Sequence, residues 1–247
     1  MTGLVLALVA GAVIGLALGG LGGGGSVLAV PALIYLLGFT PAEATTASLI
    51  IVTLTSVTAL TGHARDGTVA WRTGLLFAAA GIVPAMLAGA AADQLPQPVL
   101  TTAFAVVAGL AALRMLRPGR TESSGPVRPG RAGAAGAGLG AVTGFLGVGG
   151  GFLAVPALVD VLGLAMRTAA GTSLLVVTIN SLAALTARAG TGTHLDWAVI
   201  APFTGAAILG AWDGKRLSRK VEGETLQRLF AHVLLAVAAF MLIDVLV

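Results

Sequence analysis

No cysteine occurs in this chain, so neither disulfides nor thiol chemistry contributes to its function. Charge is scarce as well. Only 10% of the 247 residues are Asp, Glu, Lys or Arg, against about 25% in a soluble domain. Carboxylates fall near the ends of the apolar segments (Glu43, Asp66, Asp93, Asp160, Asp196, Asp213, Asp244) and none sits at a segment centre. Proton-coupled carriers commonly place an acid there, so proton coupling through a buried acid is disfavoured. The three histidines, His63, His194 and His232, lie near segment ends or outside the repeated core, and no metal-ligand cluster is present. No metal site and no resident cofactor are therefore expected. A serine such as Ser26 also lacks the base that an intramembrane hydrolase would need, so the chain is not read as an enzyme. The strict alternation of barrel strands is missing too.

What is present is apolar surface. Hydrophobic residues make up 57% of the chain and the mean hydropathy is +0.99. One water-soluble core could not bury this much, so the solvent must be largely lipid. In lipid the backbone must satisfy its own polar groups, and with barrels excluded that leaves helices. The fold class expected is an all-α polytopic membrane protein. A pI near 10.7 could suggest nucleic acid, but the placement of the basic residues below accounts for it, and no nucleic-acid partner is expected. Met1–Gly25 is apolar without a basic start, and its repeat partner lies mid-chain, so it is not read as a cleaved signal peptide.

The same segment occurs twice, 125 residues apart. LGGGGSVLAVPALIYLLG runs from Leu21 to Gly38, and LGVGGGFLAVPALVDVLG from Leu146 to Gly163. At that offset, 24 of the 48 positions from Leu21 to Thr68 are identical, where this composition gives roughly a tenth by chance. Apolar stretches cover about 3–19, 27–37, 43–62, 73–92, 97–116, 132–146, 152–163, 168–188, 196–213 and 225–247. Six are near the 20 residues a spanning helix needs. The other four form two pairs flanking the glycine clusters. The polar stretch RPGRTESSGPVRPGR, 117–131, joins the halves. The division expected is a first transmembrane repeat over 1–116, a cytoplasmic linker over 117–131 and a second repeat over 132–247.

Charge decides how each short pair crosses. If each pair is one broken span, the 14 Lys and Arg divide eight against six and favour no orientation. If each pair is a hairpin returning to its own side, 13 of the 14 share one side and only Arg188 lies opposite. The positive-inside rule selects the hairpins. Three crossings per half is odd, so the halves are inverted, each a glycine-tipped hairpin plus three transmembrane helices. Both termini then face outward across the cell inner membrane and the linker faces the cytoplasm.

In that arrangement the tips, Gly22–Ser26 and Gly147–Gly151, reach toward each other near the midplane. Helix N-termini after each tip, with unpaired amides and a positive dipole end, make an anion site without a charged side chain. Glycine lets a ligand approach the backbone closely. The candidate substrate-binding residues are Gly22, Gly23, Gly24, Gly25, Ser26, Gly147, Gly149, Gly150 and Gly151. The following helices add hydroxyls and an amide on one face: Ser48 and Thr55, matched by Ser173 and Asn180. Such hydroxyls could donate to an oxyanion, or bond carbonyls of their own helix. Small residues four apart in Gly81–Ala91 and Gly205–Gly214 read as helix-packing seams. His63, Arg65 and Arg188, near matched helix ends, read as interfacial charge, with attraction of anions at a vestibule as the alternative.

LGGGGSVLAVPAL, its LGVGGGFLAVPAL repeat, the TTASL and GTSLL helix starts and the late GAWDGKRLS segment resemble the sulfite exporter TauE/SafE family of membrane permeases. The resemblance covers nearly the whole chain. It implies transport, often export, of sulfite, organosulfonates or related small anions; alternating access is expected from rocking or gating of one inverted half against the other. Gly23 aligns with Val148 and Ser26 with Gly151 between the two copies, so the site is pseudo-symmetric. The expected partners are a small inorganic or organic sulfur anion and the bilayer. A coupling ion, sodium or proton, is left open, as are an anion channel or facilitator and a non-transporting assembly subunit.

Overall fold

The computed structural model describes residues 2–92, 97–116, 128–145, 151–188 and 195–246. Those residues are helical apart from short turns, with no strand among them. In chain order the helices are α1 (Thr2–Leu21), α2 (Ala29–Pro31), α3 (Pro41–Arg65), α4 (Trp71–Ala92), α5 (Gln97–Leu116), α6 (Pro129–Phe145), α7 (Gly151–Pro156), α8 (Met166–Arg188), α9 (Trp197–Ser218) and α10 (Gly223–Leu246). Six are long and apolar enough to cross a membrane.

The set of six differs by one member from that expected. α1 joins it because Gly19 and Gly20 stay helical, carrying the helix to Leu21 for 20 residues. α9 drops out although it spans 22 residues, because Asp213, Lys215 and Arg216 occupy its last turns. α3 starts at Pro41 rather than residue 43. Thr40 caps it: the Thr40 side chain accepts from the Glu43 amide and Glu43 Oε2 accepts from the Thr40 amide at 3.0 Å. Proline in the first turn lacks only an N–H that would have no helical partner. The same effect starts α6 at Pro129, inside the stretch read as linker. Residues 117–127 of that stretch lie outside the described residues.

Two seams of small residues join helices far apart in sequence. α1 packs along α9, where a Cβ on Gly11, Gly15 or Gly19 would meet the carbonyls of Phe203, Ala207 and Ala211. α6 packs along α4, where a Cβ on Gly136 or Gly140 would meet the carbonyls of Phe77 and Gly81. Contacts advance together along both helices, so each pair is parallel. Backbones can approach this closely only where side chains vanish. The two pairs correspond, α1 to α6 at the 125-residue offset and α4 to α9 at 126, so each half's first helix packs on the other half's fourth main segment.

Helix directions bear on the path of the first short pair. His63, near the end of α3, lies 3.2 Å from the Gly19 carbonyl near the end of α1. α1 and α3 therefore run the same way, and residues 22–40 must return between them. The second copy behaves likewise: Gly74 at the start of α4 abuts Thr172 and Leu175 near the start of α8, and α4 parallels α6. Equivalent helices of the two halves run oppositely. The Ala70 amide just past α3 donates to Thr172 Oγ1 near the start of α8 at 3.0 Å. Gln227 at the start of α10 donates to the Met115 carbonyl at the end of α5 at 2.8 Å.

Candidate anion site at the hairpin tips and the cavity beside it

The first tip is not an open loop. Gly22–Leu28 winds as a 3-10 helix and passes directly into α2. The break from α1 falls at Gly22, whose φ of +76° suits glycine alone. Its Cβ position is also filled, 2.5 Å from Ser173 Oγ and 2.6 Å from the Ala170 carbonyl. This corrects the expected free helix end at residue 27: the Ala29 amide already donates to the Ser26 carbonyl. The short helices then widen. Pro31 and Pro156 each lack an amide hydrogen, and π-helical turns follow at once, Ala32–Leu36 and Ala157–Val161.

The two tips touch. A Cβ on Gly23 would lie 2.6 Å from the Gly151 carbonyl and 2.6 Å from Val177 Cγ2. One on Gly151 would lie 2.6 Å from Ser26 Oγ and 2.8 Å from Val177 Cγ2. Val177 is buried midway along α8, so the contact sits near the middle of that helix. Gly24 and Gly25 lie in the same 3-10 segment. Gly147, Gly149 and Gly150 lie outside the described residues.

Hydroxyls fasten the first tip. The Gly23 amide donates to Ser173 Oγ at 2.9 Å, and Ser173 Oγ donates to the Ala170 carbonyl at 2.7 Å. Ser26 Oγ donates to the Gly23 carbonyl at 2.6 Å. Ser48, the repeat partner of Ser173, donates to the Thr45 carbonyl at 2.8 Å. The hydrogens of Ser26, Ser48 and Ser173 thus already have acceptors, so in this conformation those hydroxyls hold the backbone rather than point at an anion. Thr55 differs. It is fully buried, and its Oγ1 is the one buried side-chain polar atom without a partner among the described residues. Thr55 stands three residues beyond Val52 as its repeat equivalent Asn180, half-buried, stands beyond Val177.

Beside the first tip the structure holds a cluster that motif reading missed. His63 Nε2 faces the Gly19 carbonyl two residues before α1 ends, and Nδ1 lies 3.0 Å from Thr68 Oγ1. A carbonyl only accepts, so Nε2 carries a proton. His63 is therefore a buried brace on the tip's base, not the interfacial charge expected. Next to it opens a cavity of about 350 Å³. Asp66 and Thr68 line it from the end of the first half's helix pair, and Arg167, Lys215, Ser218 and Arg219 from the second half. Lys215 Nζ lies 3.0 Å from Asp66 Oδ2 and donates to the Gly62 carbonyl at 2.6 Å. Arg219 Nε donates to Asp66 Oδ2 at 2.9 Å, and its Nη2 pairs with Oδ1. Burial raises the Asp66 pKa, but the bonds from Arg219 and Lys215 outweigh it and hold the carboxyl below its ordinary 3.8. The only sequence signal was Lys215 and Arg219 four apart at the end of α9, and their charges serve membrane orientation equally well. Among the described residues no group of three or more His, Asp or Glu could hold a metal ion.

Residues 7–241 match the family model described as "Sulfite exporter TauE/SafE". Two relatives, each named "Probable membrane transporter protein", come from Xylella fastidiosa strains 9a5c and Temecula1 / ATCC 700964. They are 33% and 32% identical to this chain, each over 97% of it and 95% of their own length. With a match spanning nearly every described helix, the chain belongs to the TauE/SafE sulfite exporter family of membrane transporters.

Proposed function

We propose that the chain carries small sulfur oxyanions, sulfite or organosulfonates, out of the cell by alternating access between two inverted halves. The observation that carries this reading is the meeting of the two glycine tips against Val177, on top of membership in a transporter family. Glycine-interrupted hairpins at matching places in two halves are where secondary carriers of this architecture bind substrate. Antiparallel packing of α3 with α8 and of α5 with α10 supports the inversion. The basic residues favour an inner-membrane orientation with the 117–131 linker and the Lys215 face cytoplasmic. Backbone amides of the tips, with the unpartnered Thr55 hydroxyl and the Asn180 amide, are the donors proposed for an oxyanion once the tips part.

The test is sulfite flux in proteoliposomes, with sulfoacetate, thiosulfate and sulfate as competitors, with and without a sodium gradient. Saturable sulfite flux that the organic sulfonate inhibits is expected. Absence of flux and of competition for all four would overturn the substrate class.

A further inference from the structure

The cavity next to the first tip has no counterpart in the repeat. Asp66 and Arg167 correspond at the 125-residue offset to Thr191 and Ala42, and Lys215 and Arg219, at the 126-residue offset that relates α4 to α9, correspond to Gly89 and Asp93, so no cation of the cluster is repeated. The cluster therefore serves one face of the molecule and is not half of the pseudo-symmetric tip site. Three cations meet there and one carboxylate answers them. Arg167 is fixed by donating to the Arg219 and Val221 carbonyls at 3.1 and 2.9 Å. Lys215 is mostly buried, with 15% of its side chain exposed. Both oxygens of Asp66 take the Arg219 fork, the geometry in which guanidinium binds any planar or pyramidal oxyanion. The volume, about 350 Å³, suits a small ligand.

We propose that this cavity is a second oxyanion site at the membrane face, in which the Asp66 carboxylate occupies the anion's place until a soluble oxyanion displaces it from Lys215 and Arg219. The ligand's identity as a sulfur oxyanion rests on the transport reading above; the competition with Asp66 does not. Because Asp66 follows α3 and both cations belong to the end of α9, displacement also unfastens the two halves from each other beside Gly19 and the first tip. A lipid phosphate carries the same chemistry, so the source must be separated by experiment.

Sulfite flux is measured as a function of concentration on the cavity side, in liposomes of phosphatidylcholine with or without phosphatidylglycerol. Asp66→Asn is expected to lower KM about tenfold, since removing one charge-assisted competitor frees roughly 1.4 kcal/mol. Lys215→Gln and Arg219→Gln raise KM by a similar factor with kcat within about twofold, and Lys215→Arg stays near wild type. KM unmoved in all variants, with wild-type flux intact, overturns the second site and leaves the carrier reading standing. Sulfite KM unmoved while Asp66→Asn tightens phosphatidylglycerol retention assigns the cavity to a lipid headgroup and overturns the soluble-anion form. If wild type moves no sulfite, the transport reading fails by itself. Sulfite titrated into the purified full chain then judges the cavity: binding lost in Lys215→Gln supports it, and no binding overturns it.

Discussion

Gly23 and Gly151 face each other across the tip contact, yet different atoms confine them. A methyl on Gly23 meets a backbone oxygen, that of Gly151, at 2.6 Å, as well as Val177 Cγ2 at 2.6 Å. A methyl on Gly151 meets only side-chain atoms closely, Ser26 Oγ at 2.6 Å and Val177 Cγ2 at 2.8 Å; the Gly23 carbonyl is at an ordinary 3.4 Å. Neither residue has a positive φ, so sterics alone are at issue. Restoring van der Waals contact for Gly23→Ala requires moving one tip against the other by about 0.8 Å, and overpacking of this kind costs about 1–3 kcal/mol. Gly23→Ala and Gly151→Ala should each lower stability by that amount and cut sulfite flux about tenfold or more. Their rescue should differ. In a Ser26→Gly/Val177→Ala background, Gly151→Ala should lose most of its cost relative to that background, a coupling of about 1 kcal/mol or more. Gly23→Ala should keep its backbone collision and stay impaired. Denaturant unfolding in detergent and proteoliposome flux read both quantities. Equal rescue of the two, or an unimpaired Gly23→Ala, would refute the claim that backbone of one tip sits against backbone of the other.

Ser173→Ala removes the acceptor of the buried Gly23 amide, so it should destabilise the protein by about 1–3 kcal/mol and slow flux, by the same unfolding and flux assays. Gly15→Leu drives a side chain into the Ala207 carbonyl and should abolish monodisperse protein in size-exclusion chromatography. Gly109→Ala on α5, where a Cβ meets nothing within 4 Å, should instead stabilise by up to about 1 kcal/mol, read by the same denaturant unfolding.

Helix placement was largely legible because apolar runs and a 24-identity repeat leave few alternatives in lipid. Charge selected a returning path for the hairpins, and the proximity of Gly19 and His63 is compatible with that path. Boundaries moved where local chemistry outweighed hydropathy: the Thr40–Glu43 cap, Pro129 in a first turn, and Gly19–Gly20 kept helical by the α9 seam. The tip's 3-10 winding was hidden, because four glycines in a row prefer no conformation and Ser173, 150 residues away, helps to hold this one. Hydroxyl roles were equally hidden, since a serine on a helix face looks the same whether its hydrogen points at a ligand or at the Ala170 carbonyl. The cavity was invisible for a related reason. Asp66 and Arg219 are 153 residues apart, and each alone looks like ordinary surface charge.

The two glycine seams also set a timetable for biogenesis. α6 emerges after α4 and finds its partner already in the bilayer. α1 emerges before α9, and that partner follows only after roughly 190 more residues, about 10–40 s at ordinary synthesis rates. Through that interval the Gly11–Gly15–Gly19 face must sit against lipid or the insertion machinery without its mate. α1 is thus made long before its seam partner, so a truncated or stalled chain keeps its smallest-residue face open to other membrane helices.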